Sequence, residues 1–174
     1  MSGVIDLKTA ILDKKVKKGF KNWSSLFETG FGKTTRMEDI PDKALAILAE
    51  GSGISPFYFY DLIMNLKGLG SGFGFNELGH TDKMTVIDIH LFLLDRVRYE
   101  YMKRLGWLSS YPGDENTLVE LVIDFNDLAP DILAKPAVLS NSHPCYKEYI
   151  SKSLFEKEEM IRSLVPKALE KISF

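Results

Sequence analysis

The sequence predicts an all-α fold: a single helical domain of about six helices around one long central helix, residues 82–105. Three observations predict it. Apolar residues recur at three- and four-residue spacing nearly everywhere, strict alternation of apolar and polar residues is almost absent, and helix start and stop residues bracket the periodic stretches. The chain has 174 residues, 45% hydrophobic and 26% charged. A domain of that size buries roughly 70% of the surface its unfolded chain exposes, so it can fold without a metal or a disulfide. The composition is neither that of a disordered chain nor of a membrane-embedded one.

The first helix is predicted from Val4, Leu7, Ile11 and Leu12, which fall on one stripe. It runs into lysines that suit the negative end of a helix dipole, and Gly19 is expected to stop it. Asp39 can cap a second helix that tolerates Pro41 early, carries Ala44, Leu45, Ile47 and Leu48, and breaks at Gly51 and Gly53. Ser55 as cap and Pro56 as first residue start a third helix, Phe57 to Lys67, with Gly68 as its stop. Its side chains are apolar on every side, and such a helix is buried, either in the core or in a subunit contact.

Residues 68–79 hold five glycines in twelve positions. Glycine costs about 1 kcal/mol in a helix interior, so this stretch reads as a long irregular loop, a class that often carries function. Thr81 can cap the central helix, about 36 Å long at 1.5 Å per residue. Ile87, Leu91, Leu94, Tyr101 and Leu105 form one of its stripes; Ile89, Leu93 and Val97 form another. Lys103, Arg104 and Gly106 end it. Leu118, Leu121, Val122, Phe125 and Leu128 define a further helix, capped by Asp114 or Thr117 and expected to stop before Pro130, with a buried strand as the lesser alternative. Residues 131–144 read as a surface loop. Ser142 is expected to cap a long final helix that carries the i, i+4 pairs Glu148/Lys152 and Glu158/Arg162, and Pro166 is expected to kink or split it.

Charge is unevenly distributed. Residues 1–36 hold eight basic and three acidic side chains, a net of +5, and the remainder holds fourteen and twenty-one, a net of −7. Such a basic segment can dock on the domain's own acidic face, on nucleic acid or on anionic lipid. No aromatic residue interrupts Lys14 to Lys18, so the cluster reads as a solvated helix end and nucleic acid is an unlikely partner. In the central helix the run without charge, Ile89 to Leu94, is six residues, where a membrane span needs about 20. Asp6 and Lys8 interrupt the only signal-like apolar start, Val4 to Leu7. Cys145 is the single cysteine and cannot form an internal disulfide. These points lead us to expect a cytoplasmic protein with no membrane partner.

Several motifs invite chemistry. Gly32-Lys33-Thr34 resembles the end of a phosphate-binding loop, but the first glycine of G-x-x-x-x-G-K-[ST] falls on Phe27; Gly74 through Gly79-His80-Thr81 puts His80 where lysine belongs. Neither loop follows a recognisable strand, and the helical spacing around "LVIDF" argues against a magnesium-binding strand there. Residues 44–64 resemble a helix-turn-helix, with Ile54 pointing inward, yet the second helix offers no side chains for base edges. His143 and Cys145 form a weak nucleophile candidate at a helix start. Glu120, Asp124 and Asp127 make a carboxylate stripe that solvated helices also show. Glu77, His80 and His90 are weak metal-ligand candidates, with His90 more economically a core histidine bonded to one partner. Within "RVRYEYMKR", Arg96, Glu100 and Lys103 are expected on a solvated face.

The expected function is therefore a non-enzymatic interaction domain, with no cofactor, that associates with another protein or with itself as a homodimer. Its expected contact residues are Phe57, Tyr58, Phe59, Tyr60 and Met64, because interfaces favour large aromatics and methionine. The alternative expectation is a ligand or metal pocket between the 68–79 loop and the central helix, lined by Tyr58, Glu77, His80 and His90.

Overall fold

The computed structural model describes residues 2–173, with side chains from Asp6 onward, so the side chain of Val4 lies outside the described residues. Among these residues the chain forms eight α-helices: α1 (Ser2–Phe27), α2 (Asp42–Glu50), α3 (Ser55–Lys67), α4 (His80–Arg104), α5 (Leu118–Ile123), α6 (Phe125–Leu133), α7 (Tyr146–Ile150) and α8 (Leu154–Leu169). The all-α expectation holds. Beside the helices lie 3₁₀ segments at Met37–Asp39 and Gly72–Glu77, and a two-stranded antiparallel ribbon of β1 (Leu108–Ser110) and β2 (Val138–Leu139), with Leu108 opposite Leu139. Strands of two and three residues are too short to show alternation in a sequence.

Helix α4 is the centre of the molecule, packed against α2, α3, α8 and β1. Ile89, Leu93 and Val97 are buried as expected, but so are Val86, Phe92, Tyr99 and Met102, whereas Leu91 is exposed. The helix starts at His80, with Gly79 as its N-cap, rather than at the cap expected from Thr81.

Helix α1 does not stop at Gly19. A Cβ at that position would sit 3.1 Å from the Leu62 Cδ1 atom, so the missing side chain lets α1 and α3 approach closely, and the helix runs on to Phe27. Its core face is Val16, Phe20 and Trp23, and the expected stripe residues Leu7 and Ile11 point to water. Trp23 is fully buried and meets Phe20, Phe27, Phe31 and Phe59 edge-on. Its indole N–H donates to the Tyr58 carbonyl at 2.9 Å, which satisfies the one polar atom a buried tryptophan brings.

Two capping assignments move. Asp39 accepts the Arg36 N–H at 2.9 Å inside the preceding 3₁₀ turn, and α2 begins after Pro41. The Ser55 hydroxyl donates to the Leu48 carbonyl at 3.0 Å, tying α2 to α3 rather than capping α3. The glycine stops are as expected: Gly51 and Gly68 both end their helices at positive φ, 74° and 73°, where a Cβ would be strained.

In the C-terminal half, Thr117 caps α5 by accepting the Glu120 N–H at 3.1 Å, but the single expected helix divides at Asp124. Pro130 lies inside α6 and Pro166 inside α8 without ending either. Each proline removes one bond, to the carbonyls of Asn126 and Arg162, and both of those residues are exposed, so water can take the freed acceptor. The break in the final helix comes earlier, between α7 and α8. There Ser153 and Glu156 form a local cap: the Ser153 hydroxyl accepts the Glu156 N–H at 3.3 Å and donates to the Glu156 carboxylate at 2.9 Å. That serine-x-x-glutamate signature places the start of α8 well beyond Ser142.

Replacing Trp23 with alanine is expected to cost about 3–5 kcal/mol, the range for emptying a large aromatic site. Leu7→Ala, on the exposed side of the same helix, should change stability by less than about 0.5 kcal/mol. Urea denaturation of both variants measures the contrast.

Candidate functional site

The aromatic residues of α3 are largely used inside the chain. Phe59 and Met64 are buried in the core and cannot meet a partner, which corrects their place among the expected contact residues. Phe57 lies 4.8 Å from Phe73 and Tyr60 stacks at 4.3 Å on Phe75, both from the glycine-rich segment; Tyr58 packs on Phe27 of α1. The glycine-rich segment is thus a cover for α3. Gly72 anchors it: its N–H donates to Asp61 at 2.8 Å, and a Cβ there would come within 2.9 Å of the Asp61 backbone. The other Asp61 carboxylate oxygen accepts from Asn22 of α1 at 2.9 Å.

The expected pocket does not assemble. Glu77 and His80 are not buried with His90, and the two histidines, ten positions apart on one helix, are separated by about 15 Å. Among the described residues no cluster of three histidine, cysteine or carboxylate side chains could hold a metal. His90 sits between Phe59 and Tyr60, at 5.0 and 5.1 Å between ring centres. The histidine is buried in the core as expected, and its Nε2 atom has no hydrogen-bond partner. Burial, and secondarily the Arg98 charge, lowers its pKa from the ordinary 6.5.

The remaining motifs resolve locally. Gly32 donates its N–H to the Thr35 hydroxyl at 2.8 Å and Lys33 pairs with Asp13 at 2.9 Å; both groups a phosphate would need are engaged, and the loop follows helix α1. His143 Nδ1 accepts the Cys145 backbone N–H at 3.1 Å, a bond that serves the turn into α7 and does not involve the thiol. Ile54, expected to point inward in a helix-turn-helix, is 52% exposed, because Ser55 takes the inward position when it bonds Leu48.

The spacing of Arg96 and Glu100 predicts a solvated face, but both are buried. The Arg96 guanidinium donates to the Pro112 carbonyl at 2.6 Å and lies over the rings of Phe92 and Tyr99. Glu100 accepts from the Tyr111 hydroxyl at 2.9 Å and from Arg104 Nε at 3.0 Å. Arg104 continues to Asp42 at 2.8 Å and to the Met37 carbonyl at 3.0 Å. Tyr99 donates to Glu158 at 2.7 Å. Burial first, then the Glu100 charge, pushes the Tyr111 pKa upward, so that phenol stays a donor. Both Glu100 oxygens are occupied by protein donors, and this network ties elements together rather than presenting a reactive group.

The surface of α1 is different. Lys14, Lys15, Lys17, Lys18 and Lys21 project from it, and none enters any of the ion pairs formed among the described residues. Four of them, Lys14, Lys17, Lys18 and Lys21, line an open groove of about 610 Å³ whose inner wall is Phe20 and Phe31. On the other flank, Lys14, Lys15 and Lys18 border a hollow of about 290 Å³ beside Asn65 and Gly68. The opposite sign gathers on α5 and α6, where Glu120, Asp124, Asp127 and Asp131 are exposed and again outside those ion pairs. A third groove runs between Leu12 and Lys33 on one side and Glu120, Ile123 and Asp124 on the other, and none of those five lysines lines it.

No protein-family model, curated protein or solved structure matches the chain. Among the described residues, no helix is long and apolar enough to cross a membrane.

The buried histidine makes stability pH-dependent. With its folded-state pKa below 6.5, His90 is protonated first in the unfolded chain as pH falls. Its neutral form therefore contributes fully above that value, and the contribution is lost as pH drops from 6.5 towards the folded-state pKa. His143 shifts the same way, by burial and then Lys167, but is less buried. The urea midpoint should fall between about pH 7 and about pH 5, and His90→Gln should flatten that slope.

Proposed function

We propose that this chain is a non-enzymatic interaction module that engages an acidic protein surface through the lysine face of α1. The observation that carries this reading is a face of five lysines that enter no ion pair among the described residues, four of them around the groove walled by Phe20 and Phe31. Unpaired surface lysines attract and orient a partner of opposite charge. The place of contact thus shifts from the aromatic helix, whose side chains are spent on α1 and the glycine-rich segment, to the outer face of α1.

Two features favour a protein partner over a nucleic acid. Single-stranded nucleic acid is held by aromatic faces on which bases stack, yet Phe20 is buried and Phe31 is stacked on it at 5.7 Å. No arginine, asparagine or glutamine, the fork-shaped side chains that grip two atoms of one base edge, lines the groove, whose polar side chains are lysines and Ser24. Against an enzymatic role stand the buried carboxylates, Asp61 and Glu100, whose oxygens are held by protein donors.

A fluorescent poly-glutamate peptide serves as the probe. Its anisotropy should report binding that weakens steadily with added salt, and the triple variant Lys14→Glu/Lys18→Glu/Lys21→Glu should bind about tenfold more weakly or not at all. Monomeric wild-type protein that ignores the peptide at low salt would end this reading.

A further inference from the structure

The acidic surface that fits the lysine face is present on the chain itself, on α5 and α6. Val16, Phe20 and Trp23 fix α1 in the core, so its lysines cannot swing round to their own carboxylates. Lys33, beside the groove with α5, pairs with Asp13 of α1, and among the described residues no ion pair joins the basic segment to α5 or α6. Glu120, Asp124, Asp127 and Asp131 are left facing water with Lys135 as the nearest cation in sequence. Each face also carries exposed aliphatic side chains that ion pairing alone does not explain. Leu7 and Ile11 stand among the lysines, 61% and 48% exposed, and Leu133 stands beside Asp131, 55% exposed, with Ile123 next to Asp124.

We propose that the lysine face of α1 docks on the Glu120–Asp131 face of α5 and α6 in a second copy of this chain. This rests on the reading that the lysine face is a binding surface, and it names the occupant. Arranged about a twofold axis, the contact sets the lysines of each copy over the carboxylates of the other. A contact that uses the same patch on both copies closes at two subunits. Exposed ion pairs contribute little each, and the aliphatic side chains add apolar area that both copies remove from water. Such a contact takes its orientation and association rate from charge and is sensitive to salt.

Sedimentation velocity on the full chain tests the proposal. Wild-type protein should be dimeric at about 0.01 M salt, where charges are felt over about 30 Å, and monomeric at about 1 M, where the range falls to about 3 Å. The α1 variant Lys14→Glu/Lys18→Glu/Lys21→Glu and the α5–α6 variant Glu120→Lys/Asp124→Lys/Asp127→Lys should each be monomeric at low salt. Mixed in equal amounts they should form a 1:1 heterodimer through the contact that again pairs opposite charges. All six positions are exposed to solvent, and unchanged circular dichroism verifies the fold. A wild-type monomer at low salt that still binds poly-glutamate overturns this inference and leaves the lysine face as a site for another partner; a monomer that ignores the peptide removes both. A dimer indifferent to either charge reversal, or variants that do not recombine, also overturns it.

Discussion

The structure depends on the burial of α4. From Val86 onward this helix is buried on most of its sides, which leaves little solvated stripe on which to place its charges, so a buried charge needs a partner from a neighbouring element. Glu100 is the clearest case. Its carboxylate holds Tyr111 from the segment after β1 and Arg104 from the next turn, and Arg104 reaches back to Asp42 and the Met37 carbonyl. Tyr99 and Glu158 do the same for α8. The connections that pack around α4 are therefore fixed by directional bonds as well as by apolar contact, and a partnered buried carboxylate is costly to disturb because removing one donor leaves charge without compensation.

That constraint explains where the sequence could be read and where it could not. Helix periodicity, the glycine stops at Gly51 and Gly68 and the Thr117 cap are local signals, and the structure keeps them. Gly19 carries the same letter as those stops but serves a tertiary need, the approach of Leu62 from α3, and no local pattern announces the difference. Arg96 and Glu100 follow the spacing of a solvated face; their burial follows from the elements packed around α4, whose exposed side runs through Asp88 and Leu91 instead. Ser153-x-x-Glu156 is a legible start signal, overshadowed by the proline near Ser142. The charge surplus of the first 36 residues is also legible, whereas its segregation from the α5–α6 carboxylates requires coordinates.

The glycine-rich motifs are likewise decided by tertiary context. Gly30 to Thr35 and Gly68 to Gly79 each hold part of a phosphate-loop pattern, but a phosphate needs backbone N–H groups directed into an empty space. In the first loop the Gly32 N–H is given to Thr35 and the lysine to Asp13. In the second, Gly72 gives its N–H to Asp61, and Phe73 and Phe75 close over α3. The same glycines that could have wrapped a ligand instead allow a loop to lie flat on a helix, and the aromatic surplus of α3 is what it covers.

Continuation of α1 through Gly19 has a consequence for the lysine face. Had the helix ended there, Lys14 to Lys21 would lie at a fraying terminus, where ordering them against a partner costs side-chain and backbone entropy together. Instead Val16, Phe20 and Trp23 hold one side of the helix in the core while Lys14, Lys17, Lys18 and Lys21 occupy the other. The backbone beneath the charges is fixed before any partner arrives, and preorganisation of this kind lowers the cost of binding without adding a contact. The aromatic core around Trp23 and the basic surface opposite it are thus two sides of one helix, and the packing of the first sets the geometry of the second.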